Sequence, residues 1–457
     1  MAEHTVSLAK SLKKLLDDKK YQTLKDILTT MNGADIAAVF EDLDEERTPL
    51  LFRLLPKELA AETFAELSPE LQEHLIRGFS DKELREVVSE LYVDDAADLV
   101  EEMPASVVKR ILAQADPEMR REINEILRYP ENSAGSIMTT EYVSLRPNMT
   151  IAEALQRIRR TGVDKETIYT CYVTEERRLI GTVSVKDMLL AKDENTPVSK
   201  IMDENVISVN TMTDQEEVAQ MLSKYNFLAL PVVDNDNRMV GIVTFDDAID
   251  VLVEETTEDI EKMAGMLPSE KTYLRSTPWD LFRHRIPWLL LLMVSATFTG
   301  MIITGFESAL AAQVVLTAFI PMLMDTGGNS GSQASVTVIR ALSLGELELS
   351  DLPRVIWKEV QTAALCGFAL AGVCFLKIML FDRLVLGNAD ITVMTAFVVC
   401  LTMAVTVLVA KVVGCTLPLV AKRLGFDPAV MASPFITTIV DALSLLVYFG
   451  IANALLF

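Results

Sequence analysis

The sequence has few of the side chains that bind soft or catalytic metals. Its three histidines, His4, His74 and His284, lie outside the long apolar runs, and no HExxH motif is present. A zinc protease embedded in a membrane needs that motif within a span, so the sequence argues against this class of enzyme. The five cysteines include no CxxC pair, which argues against a zinc finger or a redox dithiol. We therefore expect a protein that is not an enzyme.

Long apolar runs are also missing from the first 275 residues, but five follow after that point. These runs are Ile286–Ile303, Leu310–Met324, Ala363–Phe381, Ile391–Val413 and Met431–Phe457. A helix needs about 20 apolar residues to cross a bilayer. Most of the runs are long enough to cross a bilayer. The second run reaches that length only if it continues past Met324. The sequence therefore predicts a soluble N-terminal part followed by an all-α transmembrane domain with five spans over residues 278–457.

The ends of the chain can be assigned to the two sides of the membrane. Residues 1–30 are charged and rich in lysine, without the apolar segment of a signal peptide. Basic side chains such as Arg283, Arg340 and Lys422 lie in alternate loops, and such residues mark the cytoplasmic side. We expect a multi-pass protein of the cell membrane (the plasma or inner membrane), with its N-terminus cytoplasmic and its C-terminus outside.

Positive charge is scarce. The chain has 42 Lys and Arg against 65 Asp and Glu, which gives a formal net charge of −23. Almost all of the imbalance lies before Ser276, because the residues from there on contain 10 basic and 11 acidic side chains. An acidic cytosolic part attracts cations and repels nucleic acids. We therefore expect divalent cations as partners and no nucleic acid.

Residues 1–130 predict an acidic, all-α superhelical domain. The apolar pairs Phe40/Leu43, Phe64/Leu67, Val88/Leu91 and Leu112/Ala115 recur every 24 residues. A helical repeat of this length is typical of solenoid domains. Asp94 and Asp98 are one turn apart on the same helix face, where like charges repel unless a cation lies between them. A solvated acidic face is the alternative interpretation.

Residues 131–253 contain a second internal repeat. Ser136–Thr139 matches Lys200–Asp203, and Leu179–Asp187 matches Met239–Asp247. Each copy predicts a strand, a helix, a strand, a tight glycine turn, a strand and a helix, and the double match resembles a tandem pair of CBS domains with an α/β fold. The resemblance implies flat dimers and an adenine nucleotide such as ATP, with a structural pair that binds nothing as the alternative. The ribose-binding positions of that family correspond here to Ser184, Asp187, Thr244 and Asp247.

From Asp246 to Met266 the sequence predicts one strongly acidic helix that leads into the membrane domain, with residues 254–277 as the connecting segment. Asp247, Asp250, Glu254 and Glu258 have the spacing of a single helix face. Such a stripe repels itself unless cations or a basic partner neutralise it. We expect the stability of this helix to depend on bound cations or on a basic partner surface.

Two of the predicted spans contain polar stretches. Asp441 lies in the fifth run, where a charged side chain costs about 3 kcal/mol on insertion scales, which favours a water-filled path or a polar partner beside it. A carboxylate tolerated in a helix-packing contact is the alternative. Asp325 and the stretch Gly327–Gly331 predict a break in the second span that exposes backbone carbonyls and lets two helices approach closely. Carboxylate, carbonyl and hydroxyl oxygens without histidine suit a hard cation such as Mg²⁺ or Ca²⁺.

The order of these parts is similar to that of the MgtE family of bacterial magnesium channels over almost the whole chain. The most specific motifs are Gly327–Gly331, Pro434–Asp441 and Glu255–Ile260. The resemblance implies a magnesium uptake channel that is a homodimer in the lipid bilayer, with its pore on the two-fold axis and a hydrated Mg²⁺ held by Asp441 of each subunit. It also implies that cytosolic Mg²⁺ binds between the helical domain, the CBS pair and the connecting helix and closes the pore.

The resemblance implies two sets of metal-binding residues. The pore set is Asp441, Gly328, Asn329, Ser332 and Thr437. The cytosolic sensor set is Glu62, Asp94, Asp98, Asn226, Asp247, Asp250, Glu255, Glu258 and Asp259. Two positions depart from the family pattern, since Ser332 stands where some members have Asn and Asn226 stands where others have Asp.

The residues by themselves do not name magnesium. A channel or carrier for another divalent cation such as Co²⁺ or Mn²⁺ stays open, and so does a sensor or scaffold without transport.

Overall fold

The computed structural model describes residues 2–44, 46–269, 273, 276–431 and 433–456. They form two compact units, one up to Leu252 and one from Val253 onward. The first unit contains an all-α domain and an α/β pair, and the second is helical. The predicted fold class is therefore confirmed.

The N-terminal helices repeat with the period that the sequence predicts. They are α1 Ala2–Asp17, α2 Tyr21–Leu28, α3 Gly33–Glu41, α4 Thr48–Phe52, α5 Lys57–Ala65, α6 Pro69–Gly78, α7 Asp81–Val88, α8 Val93–Glu102, α9 Ala105–Gln114 and α10 Pro117–Ile126. Helices α3, α5, α7 and α9 begin 24 residues apart, and each packs on the next. Phe40, Phe64 and Val88 occupy equivalent positions and are at most 1% exposed. Each repeat thus buries its apolar face against its neighbours.

Local signals set the beginnings of these helices. The Ser80 side chain accepts a hydrogen bond from Glu83 N, while the Glu83 side chain accepts one from Ser80 N. Asp116 accepts bonds from the amides of Glu118 and Met119, and Pro117 follows it. These side chains satisfy amides at a helix start that have no partner within the helix, and proline has no such amide to satisfy.

The CBS pair contains two three-stranded sheets. The first copy is β1 Ser144–Leu145, α11 Ile151–Thr161, β2 Thr170–Glu175, β3 Arg178–Ser184 and α12 Val185–Leu190, and the second is β4 Val209–Asn210, α13 Gln215–Tyr225, β5 Ala229–Val233, β6 Met239–Thr244 and α14 Phe245–Met263. In each sheet the first strand runs parallel to the second, and the second runs antiparallel to the third.

The predicted glycine turn is wrong in both copies. Gly181 lies inside β3 and Gly241 inside β6, and the turn after β2 is formed by Glu176 and Arg177, which both have positive φ. A Cβ on Gly181 would lie 2.7 Å from Met202 Sδ, and one on Gly241 would lie 2.7 Å from Met138 Sδ. The glycines are therefore needed because a methionine from the opposite copy crosses each strand. This crossing explains why both motifs occur twice in the sequence.

Helix α14 ends earlier than the sequence predicts. It stops at Met263 rather than Met266, because Gly265 has a φ of +70° and the Met266 amide bonds back to the Glu261 carbonyl. A left-handed glycine with such a bond is a common helix ending.

The second unit is built mainly from long helices. They are α15 Pro278–Gly305, the short α16 Glu307–Ala312, α17 Ile320–Ser343, α18 Leu352–Leu376 with a π-helical extension Lys377–Val385, α19 Val393–Arg423 and α20 Ser433–Leu456. Among the described residues, four helical stretches are long and apolar enough to cross a membrane: Pro278–Gly305, Leu349–Val385, Val393–Arg423 and Pro428–Leu456. Helix α17 has enough residues to span but is less apolar, because the glycine-rich stretch lies within it.

The predicted break in the second span is wrong. Helix α17 is continuous from Ile320 to Ser343 and includes Gly327–Gly331. The glycines do permit the close helix approach that the sequence predicts, since a Cβ on Gly331 would lie 2.8 Å from Ile436 Cγ2 in α20 and 3.2 Å from the Ala410 carbonyl oxygen in α19. A Cβ on Gly414 would overlap the Gly331 carbonyl oxygen. Small residues are enriched at such crossings in membranes.

We predict that Gly414→Ala destabilises the membrane domain, because its methyl group forces α17 and α19 apart. Overpacking of this kind costs about 1–3 kcal/mol. The matched control is Gly372→Ala, whose Cβ meets no atom within 4 Å. The measurement is the temperature at which the detergent-solubilised protein loses its monodisperse peak in size-exclusion chromatography. Equal midpoints for the two variants would contradict the proposed role of the crossing.

Candidate cation sites

Asp441 lies where three helices of the second unit meet. One turn before it on α20, Thr437 packs against Gly328, whose Cβ would lie 2.9 Å from Thr437 Cγ2. Gly327 faces Thr406 of α19 and Val440 and Ser444 of α20. Asp441 is half-buried, and its Oδ1 is buried without a hydrogen-bond partner among the described residues. A buried carboxylate oxygen without a partner is costly, which suits a site completed by water or a cation.

The other predicted pore residues lie on the same helix pair. Asn329 donates a hydrogen bond from Nδ2 to Asp325 Oδ1 at 3.1 Å, and both side chains are exposed. Ser332 is half-buried one turn after Gly328. Asp325 is close enough for its charge to repel that of Asp441. The structure thus brings the predicted pore residues together on α17 and α20, although the continuous helix leaves no freed carbonyl at Gly328.

The first unit contains a cluster of carboxylates. Oxygens of Asp94, Glu141 and Glu166 all lie within 4.8 Å of one another. Asp94 begins α8, and the two glutamates are joined by a backbone hydrogen bond of 3.0 Å from Glu166 N to Glu141 O. Asp94 is 9% exposed, and Glu166 Oε2 is buried without a hydrogen-bond partner among the described residues. Three oxygen ligands at this spacing are suited to a hard divalent cation.

Burial and mutual repulsion make this cluster hard to ionise. Burial and the charge of Asp247 raise the pKa of Asp94 well above its usual range. Burial and the charges of Asp247 and Asp246 raise the pKa of Glu166 to about 8. Burial raises the pKa of Glu141 to about 7, although the Val93 amide opposes this. Since desolvation and like charges both favour the protonated form, a cation would relieve both effects.

Sequence reasoning found Asp94 and Asp247 and missed Glu141 and Glu166. Neither glutamate lies in an acidic run or at a regular spacing, and only the fold of the first CBS copy brings them to α8.

The remaining predicted sensor residues of the first unit lie elsewhere. Asp98 is exposed and lines a cavity of about 190 Å³ together with Asp95 and Glu102. Glu62 and Asp250 are exposed on α5 and α14. Asn226 caps the end of α13 in the left-handed conformation, with φ 52° and ψ 43°, which asparagine tolerates better than most residues. This backbone role accounts for an asparagine at that position.

The predicted ribose-binding residues form two equivalent pairs. Ser184 Oγ donates to Asp187 Oδ2 at 2.6 Å and accepts from Asp187 N, so that it caps α12. Thr244 donates in the same way to Asp247 at the start of α14. Both pairs present hydroxyl and carboxylate oxygens after the third strand of a copy, and those groups can bind the hydroxyls of a sugar.

In the second unit, the end of α14 contacts the membrane helices. Ser343 Oγ at the end of α17 donates to Asp259 Oδ2 at 3.1 Å. Glu258 pairs with Lys262 at 2.6 Å, and Glu255 is half-buried on the same helix. Three of the five predicted sensor residues on α14 therefore lie within five consecutive positions near its end, close to Lys262.

Three family models match the chain. The model described as the MgtE intracellular N domain matches residues 31–132, the CBS domain model matches 134–194 and 198–254, and the MgtE divalent cation transporter model matches 320–451. Together they cover both units.

Curated relatives match at nearly full length. The magnesium transporter MgtE of Thermus thermophilus is 38% identical over 98% of this chain and 98% of its own length. The magnesium transporter MgtE of Bacillus subtilis is 32% identical over 96% of this chain and 95% of its own length.

A solved structure extends the comparison. The crystal structure of the cytosolic domain of the Mg²⁺ channel MgtE in complex with ATP is 40% identical, covers 53% of this chain and 99% of that one, and has a TM-score of 0.51. The motifs, the fold and the relatives agree: this chain is a multi-pass membrane protein that belongs to the MgtE family.

Proposed function

We propose that this chain takes up Mg²⁺ through a channel across the cell membrane and that cytosolic Mg²⁺ closes it. The observation that supports this most directly is Asp441, a carboxylate within a long apolar helix. Its Oδ1 is buried and has no hydrogen-bond partner among the residues that the structure describes. Five helices (α15, α17, α18, α19 and α20) form the spans, with the N-terminus cytoplasmic and the C-terminus outside. The active form is a homodimer whose pore lies on the two-fold axis.

The chemistry of the Asp441 site suits Mg²⁺ that keeps its water. Mg²⁺ prefers oxygen ligands and sheds its hydration shell reluctantly, so it usually binds through one or two carboxylates and several waters. Asp441 from each subunit supplies these carboxylates. Thr437 and Asn329 supply neutral oxygens that accept hydrogen bonds from the waters of the ion.

The carboxylates of the first unit and of α14 form the sensor. Asp94, Glu141 and Glu166 bind a cation when cytosolic Mg²⁺ is high, and Asp247 adds negative charge close to them. When Mg²⁺ falls, their repulsion returns and favours a different arrangement of the cytosolic part. Because α14 runs without interruption from Phe245 to Met263, a change at Asp247 is transmitted along one helix into the second unit.

The CBS pair also binds an adenine nucleotide in this proposal. The support is the matched Ser184/Asp187 and Thr244/Asp247 pairs, together with the relative's cytosolic domain in complex with ATP.

We predict that Asp441→Asn lowers Mg²⁺ flux into liposomes at least about tenfold, because a neutral amide attracts a hydrated divalent cation much less than a carboxylate does. The control is Asp390→Asn, which changes an exposed carboxylate in the loop before α19. Wild-type flux in the Asp441→Asn protein would remove this residue from the pore. Stronger flux of Co²⁺ or Mn²⁺ than of Mg²⁺ in the wild type would change the assigned substrate.

We predict that Glu166→Gln raises the cytosolic Mg²⁺ concentration needed for closure by about tenfold, because the sensor loses a charged ligand. Maximal flux at low Mg²⁺ stays unchanged, since the pore is untouched. Glu204→Gln, at an exposed position of the same domain pair, is the control. The measurement is flux against the Mg²⁺ concentration on the cytosolic side, and overlapping curves for the two variants would contradict the assignment.

We predict that closure by Mg²⁺ becomes weaker as the pH falls. Raised pKa values of about 7 for Glu141 and about 8 for Glu166 mean that protons occupy these groups near neutrality, and Mg²⁺ has to displace them. The closing concentration therefore rises from pH 8.5 to pH 6.5. Flux titrations at several pH values measure it, and the pH dependence is smaller in the Glu141→Gln/Glu166→Gln protein. A closing concentration that is constant over this range would count against the cluster.

A further inference from the structure

Lys262 lies between two carboxylates that are far apart in the sequence. Its Nζ is 2.6 Å from Glu258 Oε1 on the same helix and 2.6 Å from Asp427 Oδ2 in the segment between α19 and α20. Asp427 is itself oriented, because its Oδ1 accepts a hydrogen bond of 2.8 Å from Ala429 N. The ammonium therefore joins the end of α14 to the membrane helices.

The surroundings of Lys262 show that this joint is packed. Met263, the next residue, contacts Ile339 of α17 and Ala429. Gly265 lies against Pro434 at the start of α20, and a Cβ there would be 2.8 Å from Pro434 Cγ.

Hydrogen bonds also fix the residues that follow the end of α14. Leu267 N donates to the His284 carbonyl oxygen of α15 at 2.9 Å. Ser269 N donates to Glu261 Oε2 at 2.8 Å. The lysine thus lies in a contact that also contains apolar packing, backbone hydrogen bonds and the hydrogen bond from Ser343 to Asp259.

The charges around Lys262 do not balance. Glu258, Asp259 and Asp427 lie together, and the charges of Asp427 and Glu258 both act on Asp259 while that of Lys262 opposes them. Burial of the ammonium is outweighed by the two carboxylates, which raise the pKa of Lys262. Without it, three carboxylates would repel one another across the contact.

We propose that the Lys262 ammonium acts as a latch, which means that it holds the end of α14 against the segment between α19 and α20 as a bound cation would. It thereby sets how strongly closure of the channel depends on Mg²⁺. This inference rests on the proposed function. The ammonium neutralises Glu258 and Asp427 when cytosolic Mg²⁺ is low, so the connecting helix keeps part of its contact with the membrane helices. A cation that binds nearby then strengthens a contact that Lys262 already supports. The Mg²⁺ concentration that closes the channel is therefore lower than it would be if the carboxylates faced one another without Lys262.

The test uses the full-length protein with Lys262→Met, which keeps the length and apolar stem of the side chain and removes its charge. Lys262→Arg keeps the charge, and Lys422→Met removes a positive charge from an exposed position on α19. Hydrogen exchange of the amides of residues 258–267 in buffer without divalent cations reports the latch directly. Flux into liposomes against cytosolic Mg²⁺ reports its effect on closure.

We expect Lys262→Met to speed amide exchange in this segment several-fold and to raise the closing concentration of Mg²⁺ several-fold, while Lys262→Arg and Lys422→Met resemble the wild type. The charge reversal Lys262→Asp/Asp427→Lys should recover part of the effect of Lys262→Asp alone. Unchanged exchange in Lys262→Met overturns the latch. Faster exchange with an unchanged flux curve overturns its regulatory role. If the wild type shows no Mg²⁺ flux and Lys262→Met still exchanges its amides faster, the latch is supported and the proposed function is overturned.

Discussion

Repulsion between carboxylates that the fold holds close together is the constraint on which the carboxylate cluster of the first unit depends. Two unit charges about 4 Å apart interact by about 4 kcal/mol at an effective dielectric constant near 20. Asp94, Glu141 and Glu166 lie within 4.8 Å of one another, and the fold keeps them there through the start of α8 and the bond between Glu166 N and Glu141 O. Such a cluster is stable only with protons or a cation. Its free energy therefore depends on the ion concentration, which is the property that a sensor needs.

The membrane domain uses negative charge in a different way. Asp441 lies near Asp325, and its neighbours on α20, Thr437, Val440 and Ser444, pack against the glycines of α17. A single carboxylate would bind a hydrated cation weakly enough for it to leave again, and conduction requires both entry and release. Three carboxylates in one cluster bind more tightly and are suited to detection. The two sites thus differ in the number of charges rather than in the kind of ligand.

Periodic features of the fold could be predicted from the sequence. Features that depend on where two helices, or a strand and a distant side chain, cross each other could not. The 24-residue period gave the helices α3, α5, α7 and α9, because each repeat buries the same apolar positions. Gly181 and Gly241 were misread as turns, since a glycine can serve a turn or a close approach and only the partner residue distinguishes them. For Gly327–Gly331 the predicted close approach of two helices is present, with Gly414 and Ala410 as the contacts, but the predicted break is not, because the helix stays continuous.

The candidate sites show the same limit. Asp441 stands out because a charge in an apolar run is costly, whatever surrounds it. Glu141 and Glu166 have ordinary sequence neighbours, so only tertiary structure gives them a role. The role of Lys262 could not be predicted, because its helix is mainly acidic and a single lysine in it does not indicate a specific contact. Its partner Asp427 lies 165 positions further along the chain, so only the tertiary structure brings the two together.

Two lysines in the second unit form ion pairs that differ in solvent exposure. The buried pair is suited to a permanent contact, and the more exposed pair is suited to a contact that can break and re-form. Lys411 is 5% exposed in α19 and lies 3.6 Å from Glu359 of α18, whose side chain is 15% exposed. Breaking such a pair leaves a charge buried without compensation, so it favours a fixed contact between two spans. The side chain of Lys262 is 21% exposed, and those of Glu258 and Asp427 are 37% and 34% exposed. Water can replace each partner there at little cost. A contact of that kind can open and close, and its position at the end of α14 places it where the connecting helix meets the membrane helices.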